Sequence, residues 1–238
     1  MRLDQFLANA GLGSRSQVKE YLKQMRIKVD GVTTKDYGYK VNENNQVIEC
    51  DGKTIEYKKY RYYMLNKPDG YITATEDKTD ATVMDLLDIP NKKDFFPVGR
   101  LDKDTEGLLI ITNDGEFLHN VLSPKKHVSK TYYARINGMI EYQHIGRFKE
   151  GIVLDDGYKC LPSKLEIVTS AEISEIKLII YEGKFHQVKR MFEAMGMKVV
   201  YLKRVAMGKL ELYGNLKLGE FRELSMEDIG KVKEIIIK

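Results

Sequence analysis

Gly99-Arg100-Leu101-Asp102-Lys103-Asp104-Thr105-Glu106-Gly107-Leu108-Leu109 (residues 99–109) sets an arginine, three carboxylates and two glycines in a loop. That loop runs into an apolar stretch, Leu108 to Thr112. Carboxylates crowded beside a cation and bounded by glycines point to a metal loop, a reactive acid or a structural turn. Asp102, Asp104 and Glu106 followed by Gly107 match the opening of a calcium loop, with acids at positions one, three and five and glycine at six. Position twelve, where a bidentate glutamate belongs, is Asn113, and the β-prone Leu108-Leu109-Ile110-Ile111 stands where a helix should follow. The calcium reading therefore fails, and the acid and the turn remain open.

The surrounding chain has 238 residues, enough for a small module and one sizeable domain. No apolar run approaches the roughly 18 residues that a membrane span needs. The start, Met1-Arg2-Leu3-Asp4-Gln5-Phe6, has no signal-peptide pattern. Cys50 and Cys160 form neither a CxxC pair nor a zinc framework, so two free thiols and a cytoplasmic location are expected. Net charge is +4 and unevenly placed. Residues 1–28 hold Arg2, Arg15, Lys19, Lys23, Arg26 and Lys28 against Asp4 and Glu20, which leaves 33 basic and 33 acidic residues elsewhere. A basic face on a balanced body suits a nucleic-acid contact, and on charge alone equally suits a solvated helix face.

Leu3, Phe6, Leu7 and Ala10 recur at helical spacing until Gly11-Leu12-Gly13 interrupts them. Ser14 is placed to cap a second helix with apolar Val18, Tyr21, Leu22 and Met25, and with Arg15, Lys19, Lys23 and Arg26 on its other side. Strands are expected at Ile27 to Val29, Val32-Thr33 and Gln46 to Cys50, with a linker over Tyr57 to Arg61. Beyond it, strand patterns cover Tyr62 to Asn66, Leu108 to Thr112, Lys130 to Ile136, Ser163 to Thr169, Ile173 to Tyr181 and Lys198 to Arg204. Helices are expected over Glu116 to Leu122, after Glu141, over His186 to Met195 and from Met226 onward, the third carrying an apolar stripe of Phe185, Val188, Phe192 and Met195. Strands with interposed helices and no regular βαβ rhythm predict an α+β fold with a mixed, largely antiparallel sheet flanked by helices.

Four further stretches carry a resemblance. "RLDQFLANAGLGSRSQVKEYLKQMRIKVDG" (2–31) looks like an S4 RNA-binding domain. "NKPDGYIT" (66–73), "SKTYYARI" (129–136) and "EGKFHQVKRMFEAMG" (182–196), together with "GRLDKDTEGLLIITNDGE" (99–116), resemble the RsuA-type pseudouridine synthases in the family's order along the whole chain. The resemblance implies an S4 domain at 1–58 and a synthase domain at 60–238. It implies that a uridine of 16S ribosomal RNA is turned into pseudouridine, in partly assembled small subunits, by a monomer. Large-subunit RNA is the alternative target, and a catalytically silent RNA-binding assembly factor the alternative role. Because the reaction involves no redox change and loses no group, no cofactor or metal is expected.

Carried over residue by residue, the resemblance makes Asp102 the essential acid, as nucleophile or base. Tyr132 would lie against the uracil face, and Lys189 would pair with Asp102 and keep it ionised. Tyr133 is the competing tyrosine, but on a strand only one of the two faces the site. Where relatives use arginine, Lys189 lacks the bidentate fork, so a looser pair is expected. Arg100 would fill the gap left by the unstacked base, or else pair with Asp104 or Glu106. Lys67 would contact RNA phosphate or support the loop. Arg2, Ser14, Arg15, Lys19, Lys23 and Arg26 would lie near phosphates. Asp104, Thr105 and Glu106 are read as shaping the loop, and His186 as a packing residue.

Overall fold

A computed structural model describes residues 1–43, 45–123 and 126–233. The chain divides into two compact units, Met1–Tyr60 with Asp88–Asp94, and Arg61–Leu87 with Phe95–Lys238.

In the first unit, helices α1 (Leu3–Asn9) and α2 (Arg15–Lys23) lean on a four-stranded sheet of order β2-β1-β3-β4, formed by β1 (Ile27–Val29), β2 (Val32–Thr33), β3 (Ile48–Cys50) and β4 (Lys53–Thr54). Ser14 caps α2 by accepting from Gln17 N, while the Gln17 side chain accepts from Ser14 N, a reciprocal capping box. Leu3, Phe6, Leu7, Val18 and Leu22 from the two helices meet Ile27, Val29 and Ile48 from the sheet in one core. Asp88–Asp94 belongs to this unit, with Asn91 Nδ2 donating to Ala8 O at 3.3 Å.

The second unit is built on a nine-stranded sheet. Its strands are β5 (Tyr62–Lys67), β6 (Phe96–Pro97), β7 (Glu106–Thr112), β8 (Lys130–Asn137), β9 (Lys164–Thr169), β10 (Ile173–Ile180), β11 (Lys198–Met207), β12 (Leu210–Glu211) and β13 (Phe221–Glu223). The order is β13-β5-β7-β11-β8-β10-β9, with β12 on β11 and β6 on β7. Among the described strands, all pairs are antiparallel except β7 with β11. Helices α3 (Gly115–Leu122), α4 (Tyr142–Glu150), α5 (Gln187–Glu193) and α6 (Met226–Lys233) accompany the sheet. The remainder of the C-terminal helix expected from Met226 lies outside the described residues.

The middle of the sheet explains where the carboxylate loop sits. β5 is buried along its whole length, as is β7 after Glu106, so both read as apolar runs rather than alternating patterns. β5 occupies one side of β7. The other side is shared, with β11 pairing at Glu106 and Gly107 and β6 pairing at Ile111 and Thr112. Residues 98–105 leave β6 and re-enter β7 at the point where β11 joins it, which presents Asp102 at the junction of three strands.

Phe185 corrects a sequence expectation. Placed by periodicity on the apolar stripe of a helix, it lies before α5 and is 75% exposed, while Val188, Met191 and Phe192 form the buried stripe. His186 adopts a left-handed φ of +48°, turning the chain before the first helical residue and taking Phe185 off the helix axis. Arg26 also lies outside its expected element. α2 ends at Lys23, and Met25 at φ +60° redirects the chain ahead of it.

Candidate active site

Lys67, at the end of β5, organises the loop from beneath. Its side chain is fully buried, and its ammonium donates to Pro68 O (3.0 Å), Lys103 O (3.0 Å) and Thr105 O (2.9 Å). Three donors meeting three carbonyls fully satisfy an ammonium. Burial brings this group down to about 8, against the opposing pull of Asp69, Asp104, Asp102 and Glu106. A side chain enclosed in this way cannot reach RNA, so of the two roles read for Lys67 the phosphate contact is corrected and the loop support is the one the structure places. Thr73 adds a second tie, its hydroxyl donating to Leu101 O at 2.6 Å and accepting from Leu101 N at 3.0 Å. Gly70 N donates to Lys103 O. The "NKPDGYIT" stretch is thus the cradle of the loop.

Lys67→Met should therefore unfold the cradle rather than weaken RNA affinity. Gly70 N still serves Lys103 O, but Pro68 O and Thr105 O lose their buried donor, at about 1–3 kcal/mol each. A loss of about 2–4 kcal/mol in denaturant unfolding is expected. An unchanged midpoint would show that the buried ammonium supports nothing.

Asp102 projects from this loop with its side chain 28% exposed. Lys189 Nζ, on α5, lies 3.3 Å from Asp102 Oδ2 and closer to Asp104, at 2.6 and 2.8 Å from its two carboxylate oxygens. Lys189 bridges both acids and its nearest partner is Asp104, where a primary pair with Asp102 was expected. For Asp104, burial raises the carboxyl, but the Lys189 hydrogen bond and charge outweigh it and leave it below the usual range. Lys189 itself ends above its ordinary value, because those two carboxylates more than offset its burial. Glu106 accepts from the Tyr201 hydroxyl at 2.6 Å, away from Asp102.

α5 is held so that Lys189 arrives there. The Glu182 carboxylate accepts from Tyr158 Oη, Leu161 N and Gln187 Nε2, and Gln187 Oε1 accepts from Lys184 N. Arg190 reaches both Asp155 and Asp156, and Phe192 packs on Phe148 with ring centroids 5.1 Å apart. His186 Nε2 stands 3.6 Å from Asp102 Oδ1, and its ring stacks on Phe185 at 3.8 Å. Sequence reading left His186 out of the site. Its one signal was its place just ahead of α5, three residues before Lys189.

Tyr132 is buried on β8 and faces the same side as Ala134 and Ile136, whereas Tyr133 turns to the opposite side and packs edge-on against Tyr201. Tyr132 lines a cleft of about 540 Å³ with Arg100, Asp102, Lys130, Lys184, His186 and Arg204. Asp102 is the single carboxylate among its described lining residues. Arg100 is exposed and has no ion-pair partner among the described residues, so the alternative pairing with Asp104 or Glu106 is not present. Lys130 and Arg204, which sequence reading did not select, contribute two further cations. No cluster of three or more possible metal ligands occurs among the described residues. The cleft can hold a flat, polar ring against Tyr132, present one carboxylate to it, and surround it with positive charge.

In the first unit, Arg15 and Lys19 are exposed on α2, and Arg2 and Lys19 lie 5.7 and 5.3 Å from the centroid of the exposed Tyr37 ring. Arg2 also pairs with Asp4, and Lys23 with Glu20. Arg26 grips Asp51 with two nitrogens and lies over Tyr21. Ser14 is exposed, its hydroxyl engaged in the helix cap. The freest cations of the predicted set are therefore Arg15 and Lys19. No helix of the described residues is long and apolar enough to cross a membrane. Cys50 and Cys160 are both free and buried.

Residues 61–194 match the RNA pseudouridylate synthase family, and residues 1–47 match the S4 domain. The chain belongs to the RNA pseudouridylate synthase family. This synthase is 45% identical over 237 residues to an uncharacterized RNA pseudouridine synthase of Bacillus subtilis, covering 98% of this chain and 99% of that protein. It is 39% identical to the ribosomal small subunit pseudouridine synthase A of Vibrio cholerae, over 98% of this chain and 99% of that one. It is 37% identical to the ribosomal large subunit pseudouridine synthase B of Bacillus subtilis, over 98% and 96%. A solved structure described as a pseudouridylate synthase superposes with a TM-score of 0.69 at 34% identity, over 98% of this chain and 99% of that one. The synthase is of the RsuA type, an α+β enzyme carrying an S4 domain at its N-terminus.

Proposed function

We propose that this synthase isomerises a uridine of 16S ribosomal RNA, in partly assembled small subunits, with Asp102 as its essential carboxylate. The observation that carries the reading is the cleft itself, where Asp102 is the lone carboxylate among the described lining residues, beside a buried tyrosine. In the reaction the C1′–N1 bond breaks, the freed uracil turns, and C5 bonds to C1′. C5 then gives up its proton and N1 takes one up. Asp102 acts at the sugar or base as nucleophile or proton acceptor, Lys189, 3.3 Å from its Oδ2, orients it, and Tyr132 carries the ring. Arg100, exposed at the rim, occupies the space that the extruded base leaves in the RNA.

The small-subunit assignment is supported by "EGKFHQVKRMF" with its lysine at 189, and by the 39% identity to the Vibrio cholerae small-subunit enzyme. The large-subunit relative at 37% makes 23S RNA the control. Incubation with 16S transcript, partly assembled small subunits and 23S transcript, followed by chemical mapping, should yield pseudouridine in 16S RNA. Product confined to 23S RNA would reassign the target, and product in none would remove the ribosomal reading.

Two contrasts test the parts. Tyr132→Ala should lower kcat/KM by about 5- to 150-fold, the range of one lost base–aromatic stack of about 1–3 kcal/mol, whereas Tyr133→Ala, on the opposite face, should stay near wild type. Equal effects in steady-state kinetics would deny Tyr132 the base contact. Reversing charge at Arg15 and Lys19 should weaken RNA binding and reduce the log–log salt slope by roughly one to two, near 0.7–0.9 per phosphate contact. A slope unchanged in filter binding would leave both side chains merely solvated.

A further inference from the structure

Arg204 lies on β11 directly across from Tyr132 on β8, and is 2% exposed. Its Nε donates to Leu108 O at 2.7 Å, while Nη2 is buried with no hydrogen-bond partner. Lys130 stands two residues before Tyr132 on the same strand and gives one hydrogen bond, to Val128 O at 2.8 Å. Both line the cleft that Asp102 and Tyr132 share. Among the described residues neither forms an ion pair. Glu182, the acid whose field reaches Lys130, is committed to Tyr158, Leu161 and Gln187. Burial and the nearby guanidinium bring Lys130 down to about 8.

Two desolvated cations without a counter-ion are costly unless the ligand supplies negative charge. A uracil carbonyl offers only a dipole, whereas a phosphate offers a formal charge and suits the planar fork of arginine. Spacing agrees. Arg204 is one strand away from Tyr132 and Lys130 two residues along, about 5–7 Å in either direction, which is the reach from a nucleobase to the phosphates of its own nucleotide.

We propose that Arg204 and Lys130 form an anion subsite that takes a backbone phosphate of the nucleotide seated on Tyr132. The proposal rests on the reading of this cleft as the seat of the target uridine, and it assigns how that nucleotide is held by its backbone as well as by its base.

The test is calorimetric binding of uridine, 5′-UMP, 3′-UMP and inorganic phosphate to the full chain. One of the two monophosphates should bind at least tenfold more tightly than uridine, and inorganic phosphate should compete with it but not with uridine. Lys130→Met should bring the ratio within about twofold while leaving uridine affinity unchanged, and Arg204→Met should lower the ratio likewise. Lys130→Met is the safer variant, since Arg204 also ties β11 to Leu108. A wild-type ratio near one would overturn the subsite, as would variants that weaken uridine and UMP in parallel, which would assign the cations to the base. The readout needs no turnover. A preserved UMP preference without pseudouridine formation would fell the functional reading alone, and pseudouridine formation with a ratio near one would fell the subsite alone.

Discussion

Asp102→Asn is expected to lower pseudouridine formation by about 10⁴-fold or more, the scale set by removing a group that acts covalently or as base at the reacting centre. The amide keeps the size of the carboxylate and can still accept from Lys189, so the loop should hold its shape. Charge and basicity are what the substitution removes. RNA affinity should stay within a few-fold, because the cations of the cleft and the exposed Arg15 and Lys19 are untouched. Asp104→Asn is the necessary companion. Asp104 is the closer partner of Lys189, its side chain is 65% exposed, and it does not line the cleft. That variant should retain most activity. Timed chemical mapping of product separates the outcomes, and product at wild-type rate in Asp102→Asn would remove Asp102 from the chemistry.

Gly107→Ala is expected to be the most damaging single methyl in the second unit. Gly107 pairs with Lys67 of β5 on one side and Arg204 of β11 on the other, at a φ of +104°. A Cβ there would stand 2.2 Å from Arg204 O and 2.8 Å from Arg204 N. Both are backbone atoms, so no rotamer change relieves the overlap. Left-handed strain of about 1–3 kcal/mol joins overpacking of about 1–3 kcal/mol, for a loss of about 2–6 kcal/mol. At roughly 2–4 °C per kcal/mol, the melting transition should fall by about 4–24 °C. Activity should fall with it, since Lys67, Arg204 and the Asp102 loop all converge on this residue. A variant that melts with wild type would mean that β7 and β11 separate freely.

Much of this architecture was legible because it is local. The capped α2, the strands over Lys130–Asn137 and Ile173–Ile180, and the buried run of β7 follow from periodicity, capping residues and apolar composition within short windows. Strand alternation also separated Tyr132 from Tyr133 before any partner was known. Phe185 misled because its spacing fits a helical stripe, and spacing carries no information about a left-handed residue at 186. Lys67 misled because a lysine after a strand reads as exposed. Only three carbonyls, one from the next residue and two from the loop 36 and 38 positions on, make its burial tolerable.

The sequence by itself determined the family, the S4 module, the longer strands and the helices in their order, and the carboxylate loop. These depend on residue types at fixed local spacing. Tertiary structure alone decided which charges meet. Lys189 is 85 positions from Asp104 and Arg204 is 96 from Leu108, and the parallel pairing of β7 with β11 brings those stretches together. Such contacts arise from chain closure over long loops, for which no local pattern codes. That closure turns a carboxylate, a tyrosine and scattered cations into a single cleft.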